Sequence, residues 1–257
     1  CKHFEVGRHP ELLQHIGLGA VQIVRDASPV RLPVADGHLG VASHWLFDDY
    51  WPGSTETSHW KNVISFLTEA ASCRLATPVV VEPTELGIGG KGLAEYAKGV
   101  NMLAPWPGGR WGLDDIVAYE LSSMRSILAT ASRHRDAILR FRNDLCRKEV
   151  ARGRSEAPYY FVMPLAQHDP GELAALVDLL REHGVELHRL GGEVAVERLL
   201  LRAGDVVVRM AQPYRPFIRE VLEAQRYPER HYTPDGELIR PYDITSWSLP
   251  LHMGVDT

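Results

Sequence analysis

Apolar positions along the chain change their period several times, and each change predicts a different element. Pro10 stands at a first helical position, and Leu12, Leu13, Ile16, Ala20, Val21, Ile23 and Val24 follow on one stripe, which predicts an amphipathic helix over residues 9–27. Val30, Leu32 and Val34 alternate briefly as a short strand inside a Pro- and Gly-punctuated connection over residues 28–44. Val63, Ile64, Phe66 and Leu67 form a run too short for a helix and too continuous for a half-exposed strand, so a strand buried on both faces is expected over 62–69. Pro78-Val79-Val80-Val81 predicts another strand, followed by a long irregular segment over 83–112.

From Leu113 the period becomes helical, through Ile116, Val117, Leu121, Met124, Ile127, Leu128, Ala131, Ile138, Phe141 and Leu145. One helix, or two in series, is expected to reach about Val150, with Arg133, Arg135, Arg140, Arg142, Arg147 and Lys148 on a solvated face. Past a boundary near Gly153 to Pro158, Tyr159 to Met163 reads as a strand. Asp169-Pro170-Gly171-Glu172 then starts a helix that runs to His183 and ends at Gly184. Strands at Val185 to Leu190 and Val206 to Met210 and a helix over Tyr214 to Ala224 follow, and residues 242–251 pack as an ordered terminal segment.

These elements predict an α/β protein: a mixed, mostly parallel sheet with flanking helices, followed by a smaller α/β domain. The expected division is 1–132, a helical linker over 133–156, and 157–257. A length of 257 residues suffices for two domains, and the 45% hydrophobic and 24% charged content is that of a globular chain. A net charge of −5 gives no electrostatic footprint for nucleic acid, and no apolar run is long enough for a membrane span. Cys1, Cys73 and Cys146 are too few and too scattered for a disulfide framework. The chain begins at Cys1 with no initiator methionine and no signal peptide in its first residues, which suggests a portion of a longer product. The compartment is undecided, with a secreted or periplasmic location open if the full-length protein carries a signal peptide.

Candidate chemistry centres on Glu69, at the C-terminal end of the expected buried strand, where open α/β sheets collect functional groups. His183-Gly184-Val185-Glu186 has the His-x-x-Glu spacing of a zinc ligand pair, but a helix end, its glycine cap and the next strand account for it. The glycine-rich Gly87 to Gly92 stretch departs from a P-loop because Gly92 follows Lys91. No Gly-x-Ser-x-Gly elbow is present.

Taken together, Tyr50-Trp51-Pro52-Gly53, His59, Leu67-Thr68-Glu69-Ala70-Ala71-Ser72, Trp106-Pro107-Gly108-Gly109-Arg110-Trp111 and the closing Tyr242 to Leu251 segment resemble a bacterial branch of the zinc carboxypeptidase family that carries an extra C-terminal α/β domain. The resemblance implies a peptide substrate and a zinc held by two histidines and a glutamate. It implies that Glu69 is the general base and that residues 1 to about 132 are the C-terminal half of the peptidase domain. Tyr50 would stand for the family's mobile active-site tyrosine, although the neighbouring loop departs from the family pattern. The family's zinc ligands and its carboxylate-gripping arginine are not found in these residues, so no metal ligand is assigned to this chain and the zinc is expected to be held upstream of it. An alternative is a carboxypeptidase-like binding or interaction module without a metal site.

Overall fold

A computed structural model of the chain describes residues 36–41, 54–64, 68, 70–73, 75–86, 96–100, 102–196, 199–224, 229, 231, 236, 238 and 248–257. The chain divides into two compact units, one of Cys1–Asp49 and Phe66–Phe141, the other of Tyr50–Ser65 and Arg142–Thr257. The predicted helix over 9–27 and strand over 30–34 fall outside the described residues.

In the first unit, β1 (Val79–Val81) pairs antiparallel with β2 (Gly109–Trp111), placing Val79 opposite Trp111 and Val81 opposite Gly109. A single 3-10 turn, Pro83–Glu85, follows β1. β2 was hidden in the sequence by Gly-Arg-Trp, which carries no alternation, and by Gly108 and Gly109, whose positive φ of 94° and 115° reads as loop. Gly108 permits a close approach, since a Cβ there would lie 2.8 Å from the Val81 carbonyl oxygen. Helix α2 (Leu113–Arg133) starts beside this hairpin, where the Asp115 carboxylate accepts from the Gly112 amide at 2.8 Å. It leads through His134 into α3 (Arg135–Ser155), so the long periodic stretch is two helices in series, and the boundary between the units falls inside α3.

The second unit has the better-defined core. A three-stranded antiparallel sheet has the order β3 (Tyr160–Met163), β7 (Val206–Arg209), β4 (Leu187–Arg189). Between β3 and β4 runs α4 (Pro170–Glu182), making a split β-α-β unit with β7 inserted between its strands. The pattern strand-helix-strand that predicts a parallel pair is therefore present, but the insertion of β7 makes both ladders antiparallel. Every ladder among the described residues, including the β5 (Val194–Val196) and β6 (Leu199–Leu201) hairpin, is antiparallel, so the mixed α/β class holds for them while the parallel pairing does not.

Met163, Leu176, Leu180, Val208, Met210 and Ile218 are wholly buried between this sheet, α4 and α5 (Arg215–Leu222). Short α6 (Leu249–Met253) closes the core with Leu249, Met253 and Val255, so the expected terminal segment over 242–251 packs at 248–251, while 242–247 lie outside the described residues. Asp169 caps α4 through its side chain to the amides of Gly171 and Glu172. Gly184, at φ 82°, ends α4 in a paired bonding pattern, Val185 N to Leu180 O at 3.0 Å and Gly184 N to Arg181 O at 2.9 Å.

The expected buried strand over 62–69 is corrected at its start. Helix α1 (Ser54–Trp60) ends in the same bonding pattern, with Val63 N to Ser58 O and Asn62 N to His59 O both near 3.0 Å. Asn62 takes the left-handed position at φ 60°, and Val63 is exposed rather than buried on two faces. Asn tolerates that conformation and here also donates from Nδ2 to the Pro213 carbonyl at 2.7 Å, which fixes the turn.

Candidate functional site

Glu69 and Tyr50, the two site residues expected from the sequence, lie outside the described residues, as does Gly87 to Gly92. The residues on either side of Glu69 are described, and both are anchored to other elements of the first unit. Thr68 Oγ1 donates to Glu120 Oε2 on α2 at 2.7 Å. Trp111 Nε1, at the end of β2, donates to the Ala71 carbonyl at 2.7 Å. The chain from 68 to 71 is therefore tied at both ends, by a side chain from the helix and by one from the hairpin. A hydroxyl bonding to a carboxylate is a charge-assisted contact, stronger than a neutral pair.

An aromatic wall stands beside this segment. Trp111 meets Tyr119 edge to face at 5.0 Å and Trp106 at 5.8 Å, and His38 lies against Tyr119 at 4.2 Å. Each tyrosine hydroxyl clamps one backbone residue from both sides. Tyr119 donates to Leu39 O at 2.8 Å and accepts from Leu39 N at 3.1 Å, and Tyr96 does the same to Trp106 at 2.9 and 3.1 Å. Burial raises the phenol pKa of both above the ordinary value, so both hydroxyls keep their protons at neutral pH and go on donating. Gly40 lets the 36–41 segment lie on Trp106, since a Cβ there would meet the Trp106 Cβ at 2.7 Å. Ala71 is thereby held beside an apolar aromatic surface.

Arg110 is placed by its fork on Asp114, at 2.9 and 3.0 Å, and on Asp115 at 3.2 Å. These exposed pairs raise the guanidinium pKa and lower that of Asp114, so Arg110 serves the start of α2. Glu120 and Tyr119 carry the site's bracing yet were not found from sequence. Neither stands in a recognisable motif: Tyr119 lies on the α2 face opposite its apolar stripe, and Glu120 on the flank of that stripe.

Two clusters of the second unit also hold chemistry-bearing groups. Lys61 Nζ lies 2.7 Å from His183 Nδ1, over the faces of Phe217 at 4.9 Å and Tyr214 at 5.7 Å. An ammonium has only donors, so Nδ1 accepts and the imidazole proton sits on Nε2. Burial lowers the Lys61 pKa, and burial followed by the Lys61 charge lowers that of His183. His183 closes α4 and stacks on Phe217, while Glu186 gives its amide to Gln212, so the His-x-x-Glu spacing does follow from the element boundary. The second cluster is an ion network joining α3 to α5. Arg215, 2% exposed, reaches Glu149 at 3.3 Å and Glu156 at 3.4 Å, and Arg152 reaches the same two carboxylates at 2.9 Å each. It floors a cleft of about 470 Å³ edged by Trp60, Arg219 and Glu223. Arg219 pairs with Glu223 at 2.8 Å, so the cleft's three arginines are all matched by carboxylates and the network reads as a buried tie between helices.

Among the described residues no group of three or more His, Cys, Asp or Glu side chains is placed to hold a metal ion. No helix among them is long and apolar enough to cross a membrane. No protein-family model matches the chain, and no characterised protein or solved structure shows significant similarity to it.

Proposed function

We propose that the chain is the C-terminal portion of a zinc carboxypeptidase, with Glu69 as the general base of peptide-bond hydrolysis. The observation that supports this reading is the bracing of residues 68–71. The Leu67 to Ser72 and Trp106 to Trp111 segments, which carry the family resemblance separately in the sequence, are joined by the bond from Trp111 Nε1 to Ala71 O. A general base has to be held within hydrogen-bond reach of the water it deprotonates, and anchors on both sides of position 69 supply that restraint.

In this reading the Glu69 carboxylate accepts a proton from the attacking water and returns it to the leaving amine. Zinc, in this family, polarises the water and the scissile carbonyl. The family resemblance places the zinc ligands upstream of residues 1–257, and no step is routed through them.

The test is product analysis on the full-length gene product with amino-terminally blocked peptides. Single amino acids should be released from the carboxyl end, release should stop on chelation, and zinc should restore it. A full-length product that binds peptides but releases nothing in the presence of zinc would support the binding-module alternative instead.

A further inference from the structure

Helix α2 is inverted relative to an ordinary surface helix. Its buried residues are Ser122, Ser123, Ser126 and Thr130, with Ser126 and Thr130 only 4% and 3% exposed. Its apolar residues Val117, Leu121, Met124 and Leu128 are all between 43% and 67% exposed. At about 100° per residue, these four and Leu113 fall within an arc of about 80°, diametrically opposite the serine face. The small polar face is buried, and the leucine face is exposed among the described residues.

Spacing and charge identify what that is. Positions 117, 121, 124 and 128 are separated by four, three and four residues, which is the a/d pattern of a helix seam, with Leu121 and Leu128 at a and Val117 and Met124 at d. Glu120 then occupies a g position and Arg125 the following e position, on opposite flanks of the stripe. In a parallel two-fold pair, each g residue faces the e residue five positions later on the other helix. Glu120 and Arg125 have opposite charge in that relation, and the two-fold axis makes the contact twice. Glu120 Oε2 already accepts from Thr68, which orders the side chain for it.

We propose that the outward face of α2 pairs with the same face of a second copy of this chain, in a parallel two-fold helix pair in which Glu120 meets Arg125 of the partner subunit. A seam of this length buries less than a standard interface, so the dimer forms and dissociates with concentration.

Sedimentation velocity of the 257-residue chain over low to high micromolar concentration tests it, with three variants. The wild type should shift from monomer to dimer. Met124→Lys should remain monomeric, with an unchanged circular dichroism spectrum and melting temperature because the side chain is exposed. Arg125→Glu, which sets two carboxylates against each other at both contacts, should raise the dimer Kd by about tenfold or more. Leu121→Cys should form a symmetric disulfide-linked dimer on mild oxidation that the wild type does not, since only a parallel pair brings an a position against itself. A monomeric wild type without cross-linking in Leu121→Cys would overturn the proposal, as would a dimer that survives Met124→Lys. A full-length gene product that stays monomeric where the 257-residue chain dimerises would also overturn it, because another segment would then occupy the stripe.

Discussion

At the residue scale, the bracing of the 68–71 segment rests on two side-chain bonds of equal length. Removing the Thr68 hydroxyl leaves Glu120 without that donor and frees the residue before Glu69 to move. In the full-length enzyme, Thr68→Val should therefore lower kcat about tenfold with KM little changed, because a misplaced base affects the transition state more than binding. An unchanged kcat in steady-state assays would remove the Thr68–Glu120 contact from the positioning of the base. The Lys61–His183 contact makes a separate prediction about pH. Burial and the neighbouring ammonium hold His183 below the ordinary imidazole value, so as pH falls below about 6.5 the unfolded chain takes up a proton that the folded chain resists. The stability contributed by the neutral ring is complete above that value and declines beneath it. Lys61→Met removes the charge, lets the folded-state pKa rise, and should flatten the decline. Urea unfolding at pH 7.5 and pH 5 on both proteins checks this, and equal declines would show that the Lys61 charge has no part in it.

At the element scale, the second unit depends on how closely α3 approaches the end of β7. A Cβ on Gly153 would lie 2.1 Å from the Met210 carbonyl oxygen, a backbone atom that cannot rotate away. Gly153→Ala should destabilise the second unit by about 2 kcal/mol or more, against the small gain alanine brings to an isolated helix. Thermal unfolding followed by circular dichroism measures it, and a raised melting temperature would mean that the helix slides to make room. Elements whose cause lies in a few neighbouring residues were legible in the sequence. The Asp169 cap, Pro170 at the first turn and the Gly184 stop mark both ends of α4 within one residue. Helix α1 was missed because its stop is Asn62 rather than glycine, and the apolar run after that stop resembled the start of a strand. The antiparallel order of the three-stranded sheet was not legible either. The insertion of β7 between β3 and β4 is a long-range pairing that fills the gap between the two strands of the split β-α-β unit, and no local pattern marks it.

At the scale of the whole molecule, the division into two units assigns the aromatic wall and the braced 68–71 segment to one and the larger hydrophobic core to the other. The sequence indicated two domains. It did not indicate that Tyr50–Ser65 joins the second, because that depends on Trp60 packing against a core formed a hundred residues later. The candidate site was legible only in part. Glu69 and the tryptophan-rich segment were identified separately, while the contacts that relate them, from Trp111 to Ala71 and from Thr68 to Glu120, join residues 40 and 52 positions apart and leave no trace in local spacing. The most direct test of the account is the turnover of Glu69→Gln in the full-length gene product, measured beside its zinc content and melting temperature. Metal content and stability should be unchanged with kcat reduced by about a hundredfold or more, since the amide cannot take the proton from water. Turnover within a few fold of the wild type would contradict it.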